Sequence, residues 1–381
     1  METIRSPRLV VAGAIIAVAF VLAACQDADP TSPPEPRLSR SGATGAAHVS
    51  VMTRNVYIGF DGDAAVAALA TGDPAVFVPV LQEAVATLRS TDFPTRARTL
   101  VEEIARARPA VVGLQEVYAI HADLTPLGVP VQIDLDYLQI LQAALAARGL
   151  PYVVVATVVD TDMQPFPGIE LVDREVMLVD ASRVQVGTGV IATTFQYNIG
   201  VIASGIDKKA GYIAAPLTID GAPITVVTTH LESDLGPGTH PFVAQLRAAQ
   251  AQEIAAVLGT TPQAIVVGDM NDVPGSLMYQ VFTAGAGLTD AWPALSHDGP
   301  GLTGGCFGPT LSEAQPHCDA RIDFILVRGL GHPREGLLGR SSVVGLSQWE
   351  RVPGPAGLIW PSDHAGVLAD VVVPPAHGLR Q

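Results

Sequence analysis

The chain has 381 residues, of which 48% are hydrophobic and 15% charged, with a formal net charge of −15. That apolar content supports a sizeable core and excludes general disorder. No window carries the basic stripe by which a protein displaces counterions from a polyanion, which argues against a tight nucleic-acid binder.

In chain order, Arg5 and Arg8 precede an apolar run from Leu9 to Ala24 that ends Leu22-Ala23-Ala24-Cys25. A basic stretch, a hydrophobic stretch and small residues at the cut make a secretory signal. The run is short of the ~20 residues that a spanning helix needs. The cysteine after the small residues resembles the bacterial lipoprotein pattern, which implies acylation of Cys25 and anchoring to a bacterial membrane on its periplasmic or cell-surface side. We therefore divide the chain into a signal peptide (1–24), a tether (25–47) rich in Pro, Ser, Gly and Asp, one folded domain (48–374) and a tail (375–381). An exported chain can oxidise Cys306 and Cys318, and closing their short loop would contribute ~3 kcal/mol. Two free thiols or two metal ligands are the alternatives.

Folded sequence begins near His48, where Val49, Val51 and Thr53 lead as a strand into Asn55. Helices are predicted over 62–70, 74–89 and 95–107, the last following Pro94. A short buried strand, 110–114, ends at Gln115-Glu116. Helix 134–148 leads to strand 152–159, and further strands are predicted at 175–180, 189–194, 199–204, 212–219 and 223–229. Helix 241–258 is followed by the apolar strand 264–269, and strands near 321–327 and 365–373 close the chain. With no repeat and no second linker, many strands and several helices indicate α/β or α+β layers in one domain. Segment 345–361, with Trp349, Ile359 and Trp360, reads either as a lipid-facing loop or as simple packing. The helices within 62–107 form an insertion with no evident role.

Six segments place polar side chains at strand ends: Thr53-Arg54-Asn55, Leu114-Gln115-Glu116, Asp173-Arg174-Glu175, Thr229-His230-Leu231, Gly268-Asp269-Met270-Asn271 and Ser362-Asp363-His364. Phosphate-ester hydrolysis asks for a divalent cation on the phosphate oxygens, a base for water, stabilisation of the departing oxygen and oriented polar groups. Glu116 directly follows an apolar run, so its carboxylate emerges at a strand's C-terminal edge, where hard cations find oxygen ligands. Asp269 and Asn271 sit on one side of extended backbone, the acid able to take a water proton while the amide orients that water. His230, ending its strand, can donate to a phosphate or leaving oxygen. Adjacent Asp363 and His364 point opposite ways and should do different jobs. Asp323 is an acid inside an apolar strand and needs a partner, for which a histidine is the natural choice.

In this order, LQEV, TTHLE, GDMND, RIDFIL and SDHAGV resemble the endonuclease/exonuclease/phosphatase superfamily, which includes DNase I-like nucleases, exonuclease III-like repair enzymes, bacterial sphingomyelinases and inositol-polyphosphate 5-phosphatases. The resemblance spans about 48–374. It implies a four-layer sandwich, two packed mixed sheets with helices outside and the site at one edge. It also implies Glu116 as principal metal ligand, with Asn55 beside it and Asp363 at or near the metal. Asp269 is implied as the residue that activates the nucleophilic water and Asn271 as its phosphate-orienting neighbour. His364 is implied as a phosphate-contacting histidine oriented by Asp323, and His230 as a second histidine oriented by Glu175. The expected cofactor is Mg2+, with Mn2+ as substitute. The expected substrate is a phosphate ester, whether nucleic acid, phospholipid or small phosphorylated compound, cleaved by a monomer acting as a phosphodiesterase. A phosphomonoesterase, or a catalytically silent binding lipoprotein with this fold, is the alternative.

Overall fold

The computed structural model describes residues 47–234, 240–332 and 335–373, so the signal peptide, Cys25, most of the tether and the tail lie outside the described residues. The first strand, Ala47–Asn55, runs antiparallel to Gly366–Val373 and parallel to Val111–Gln115. Its side chains alternate between two apolar environments: Val49 and Val51 enter one buried cluster and Met52 another. A strand dry on both faces must lie in the middle of a layered structure.

The first sheet has ten strands. Its order is Gly339–Val344, Gly366–Val373, Ala47–Asn55, Val111–Gln115, Ile169–Asp180, Tyr152–Phe166, Ile206–Lys208 and Gly200–Ala203, with the hairpin Ala119–Asp123 and Gln132–Asp136 attached to Ile169–Asp180. The second has seven, in the order Thr289–Asp290, Asp323–Arg328, Ala264–Asp269, Ala222–His230, Gly211–Ile219 and Val184–Val186, with Ile191–Thr194 also on Gly211–Ile219. Val111, Met177 and Val367 of the first sheet meet Ile213, Val226 and Ile265 of the second in a core of mostly β-branched side chains. Helices Phe93–Ala107 and Tyr137–Ala147 cover the outer face of the first sheet, and His240–Leu258 covers that of the second. This is the four-layer sandwich that the resemblance implies.

Near the site the sheets approach closely. A Cβ on Gly113 would lie 2.3 Å from Thr228 Oγ1 and 2.8 Å from Val267 Cγ2, so only glycine fits between them.

Element boundaries moved where caps intervened. Residues 134–136, expected to be helical, finish a strand instead. Asp136 then caps Tyr137–Ala147 by accepting from Gln139 N, because an extended Asp turns its carboxylate to an orphan amide better than a helical one. The strand expected at 152–159 continues to Phe166 as one arm of a long hairpin with Ile169–Asp180. The expected strand 189–194 shortens to Ile191–Thr194, and a further short strand, Val184–Val186, precedes it. Cys306 and Cys318 are disulfide-bonded. Trp360 is fully buried and stacks on Phe307 at 4.6 Å, whereas Trp349 lies exposed under Arg106. Segment 345–361 thus buries Ile359 and Trp360 while Trp349 and Leu358 stay exposed. Among the described residues no helix is long and apolar enough to cross a membrane.

Candidate active site

Parallel neighbours end together, so the polar residues that terminate central strands gather at one edge. Asn55 pairs with Gln115 at the end of one parallel ladder, and His230 pairs with Asp269 at the end of another. Asp323 lies opposite Asp269 across an antiparallel pair. Glu116 and Asn271, each just past its strand, adopt left-handed backbone at φ 59° and 49°, a costly conformation that turns each out of its strand direction.

The assembly centres on Asp269. Its Oδ2 accepts from Asn55 Nδ2 at 3.1 Å and lies 3.6 Å from His230 Nε2 and 3.7 Å from His364 Nδ1. Its Oδ1 accepts from the Asn271 amide N–H at 2.9 Å. Asn271 Nδ2 donates to Leu231 O and to His230 Nε2, each at 2.9 Å, which leaves the His230 Nδ1 proton on the Glu175 side.

His364 Nδ1 donates to Asp323 Oδ2 at 3.0 Å. Burial alone would lower the basicity of His364, but the charges of Asp323, Asp269 and Asp363 outweigh it and hold the imidazolium form well above the usual histidine range. Asp323 is itself fixed from behind by Thr303 Oγ1, which accepts from the amides of Ile322 and Asp323 at 3.1 Å. The neighbouring Asp363 does turn the other way. Its Oδ1 accepts from Ser362 Oγ, and its backbone carbonyl accepts from Cys306 N at 3.1 Å.

Glu116 Oε2 accepts from Ile58 N at 2.9 Å and Oε1 from Asn55 Nδ2 at 2.8 Å. Burial, and next the negative charge of Asp363, push its carboxyl up to about 7. Asp363 is also raised, chiefly by burial. Two acids that repel each other at low dielectric are a donor set suited to a divalent cation. Asn55, expected among the metal ligands, has its amide nitrogen on both Glu116 and Asp269 while its oxygen accepts from Tyr57 N at 2.9 Å. In this arrangement it spaces the two acids, and its oxygen, which accepts one hydrogen bond, keeps a second lone pair that a cation could use.

The strand-end reading brings together all nine candidates: Asn55, Glu116, Glu175, His230, Asp269, Asn271, Asp323, Asp363 and His364. Glu175 lies least directly, with Oε1 3.9 Å from His230 Nδ1 and neither oxygen hydrogen-bonded. Beside it is Asp160, overlooked in the sequence, buried and with both oxygens unpartnered. Ligand-type atoms of Asp160, Glu175 and His230 lie within 4.8 Å of one another, as do those of Asp269, Asp323 and His364. Burial first, then Asp160 and Asp173, raise Glu175 well above the usual carboxylate range, and Asp160 is raised likewise by burial and Asp173. An acid interrupting an apolar strand was the signal for Asp323, and Asp160 in Val158-Val159-Asp160 carries the same one.

Arg96 was also missed. Fully buried, it donates to the carbonyls of Thr91, Val56, Tyr57 and Pro361 at 2.6–3.0 Å, tying the backbone after Asn55 to the backbone before Asp363. Arg54 pairs with Glu103 at 3.0 Å and also donates to the His364 carbonyl. Both Arg96 and Glu103 come from the inserted helices, whose Phe93 stacks on Tyr137 at 3.5 Å.

The profile of the endonuclease/exonuclease/phosphatase family matches residues 85–364. No curated protein matches the chain. Among solved structures, the endonuclease/exonuclease/phosphatase from Beutenbergia cavernae superposes with TM-score 0.54 at 20% identity, covering 86% of this chain and 72% of that one. The human Nocturnin catalytic domain with bound sulfate gives 0.51 at 18% identity, covering 86% and 97%. D. rerio TDP2 complexed with single-strand DNA product gives 0.50 at 17%, covering 85% and 99%. At these identities the likeness is one of fold.

Proposed function

The chain belongs to the endonuclease/exonuclease/phosphatase family of phosphoric-ester hydrolases, and from that premise we propose that it is a divalent-cation-dependent phosphodiesterase acting outside the cytoplasm. The observation that carries the reading is the convergence of Asn55, His230 and His364 on one oxygen of Asp269, with Glu116 and Asp363, whose charges repel, lining the same cavity.

Glu116 and Asp363 would hold the cation, magnesium or manganese, which when bound neutralises charge on the phosphate oxygens. Asp269 accepts the proton of the attacking water, its Oδ1 held by the Asn271 amide so that Oδ2 faces the reaction. His364, kept cationic by Asp323, binds a phosphate oxygen as negative charge builds. His230, once protonated at Nε2 and with Asn271 donating to Leu231 O alone, donates to the departing oxygen, its Nδ1 side backed by Glu175. A site rich in carboxylates and poor in fixed cations suits the single charge of a diester better than the double charge of a monoester. Export is supported by the sequence ending in Cys25 and by the Cys306–Cys318 bridge, a bond of oxidising compartments.

The test is hydrolysis of bis-p-nitrophenyl phosphate and p-nitrophenyl phosphate with magnesium or manganese, with and without EDTA. Cation-dependent cleavage favouring the diester is expected, with loss in Glu116→Ala and Asp269→Ala. Full activity in EDTA, or in both variants, overturns the assignment, and preference for the monoester makes the enzyme a phosphomonoesterase.

A further inference from the structure

The catalytic edge opens into a cavity of about 500 Å3 that continues far beyond the reacting groups. One end is lined by Glu116, His230, Asp269, Asn271, Asp363 and His364. Beyond them the walls are largely aliphatic and come mainly from the inserted helices and from strand residues away from the reacting groups. Val66 and Leu69 on Gly62–Ala70 share one helical face, as do Leu81 and Ala84 on Pro74–Thr91, and Ile133 and Leu171 of the first sheet's hairpin arms also line the space. All six are only half-buried. Apolar side chains placed on a helix–sheet contact are normally sealed within it, and these line a space instead.

We propose that this cavity is the subsite for a single alkyl chain esterified to the phosphate, so that the substrate class is lipid-like phosphodiesters; the assignment rests on the phosphodiesterase reading above. The size falls within the ~300–1,000 Å3 usual for small-molecule pockets. Its continuity with Asp269 and His364 means that whatever fills it is attached at the phosphate. Tyr57, Phe60, Tyr118 and Phe307 are aromatic lining residues, but a nucleic acid would also call for a basic groove. Lys208 is the only lysine or arginine among the lining residues, and Glu232 already holds it at 2.9 Å. The alanine-rich sequence Gly62-Asp-Ala-Ala-Val-Ala-Ala-Leu-Ala70 makes the roof from side chains too small to occupy the space below. The insertion between the Asn55 and Glu116 motifs therefore has two jobs, its last helix bracing the catalytic loops and its first two roofing the chain subsite.

The experiment uses the full chain. Calorimetry compares methylphosphonate with octylphosphonate below its micellar concentration, in the presence of magnesium. In parallel, kcat/KM is measured for p-nitrophenyl phosphodiesters bearing methyl to octyl groups. Each buried methylene contributes up to about fourfold, so octylphosphonate should bind on the order of 100-fold tighter, and kcat/KM should climb with chain length. Ala84→Phe and, separately, Leu69→Asn should each flatten that climb, a ratio taken within one variant and so insensitive to partial loss of folded protein. Equal binding of the two phosphonates overturns the subsite, as does a chain-length slope that both variants retain. A thymidine oligonucleotide that binds more tightly than octylphosphonate and loses affinity in Ala84→Phe would also overturn it, in favour of nucleic acid. If octylphosphonate binds tightly but no ester is cleaved, the subsite stands and the phosphodiesterase reading falls.

Discussion

Two histidines reach the carboxylate of Asp269 from different sheets, and they are supported in opposite ways. Behind His364 stands Asp323, hydrogen-bonded at 3.0 Å and braced by Thr303. Behind His230 stands Glu175, at 3.9 Å, with neither oxygen hydrogen-bonded and Asp160 close by in the same condition. Burial raises the carboxyl of Asp323, but the charge and hydrogen bond of His364 pull it partly back down. Burial first, then Asp160 and Asp173, raise Glu175 well above the usual carboxylate range, and no hydrogen bond from His230 offsets them. Two similar-looking His–acid pairs thus differ in what lies behind the acid.

The comparison breaks first at the group both sides share. Asp269→Asn should lower kcat by about 10²–10⁴-fold, because the base and the common partner of both histidines vanish together. Next comes the contrast itself. Asp323→Asn should cost roughly 10²-fold and move the alkaline limb of the pH–kcat/KM profile to lower pH, since the charge that raises His364 is gone. Glu175→Gln should cost roughly tenfold or less and leave that limb in place. Profiles that shift alike would make the two pairs equivalent.

A smaller effect is expected from the disulfide, which touches only one side because Cys306 N donates to the Asp363 carbonyl. Cys306→Ser should lower stability by roughly 3 kcal/mol in urea unfolding, with activity losses confined to folded-state fraction and to the Asp363–His364 turn. The smallest concerns Asp160. A carboxyl raised in the folded state keeps a proton that the unfolded chain releases, so stability falls as pH climbs above the ordinary carboxylate pKa towards the folded one. Asp160→Asn should remove that decline and stabilise the cation-free protein at pH 8 while changing little at pH 4. Urea midpoints at the two pH values decide the matter.

The catalytic edge was legible because its strands announce it. Each of Val111–Gln115, Ala222–His230 and Ala264–Asp269 is an apolar run that stops at a polar residue, and parallel pairing brings such stops together. Asp323 was legible as an acid in an apolar setting. Asp160 escaped because the apolar run was taken to end at Val159, where alternation with polar residues begins along a hairpin arm that reaches Phe166. Arg96 escaped because an arginine on a helix reads as a solvated face, and nothing local reveals that four carbonyls from three separate segments surround it. The insertion escaped for a related reason: periodicity shows which face of a helix is apolar, not whether that face meets a sheet or a void.

Glu116 belongs to one sheet and Asp269 to the other, so the separation between them is a distance between sheets. Gly113, three residues before Glu116, is where those sheets come within reach of a single missing methyl group. It acts as a feeler gauge of zero thickness beneath the jaws of the site, and an alanine there would act as a shim, pushing base and metal ligand apart without altering the chemistry of any reacting side chain.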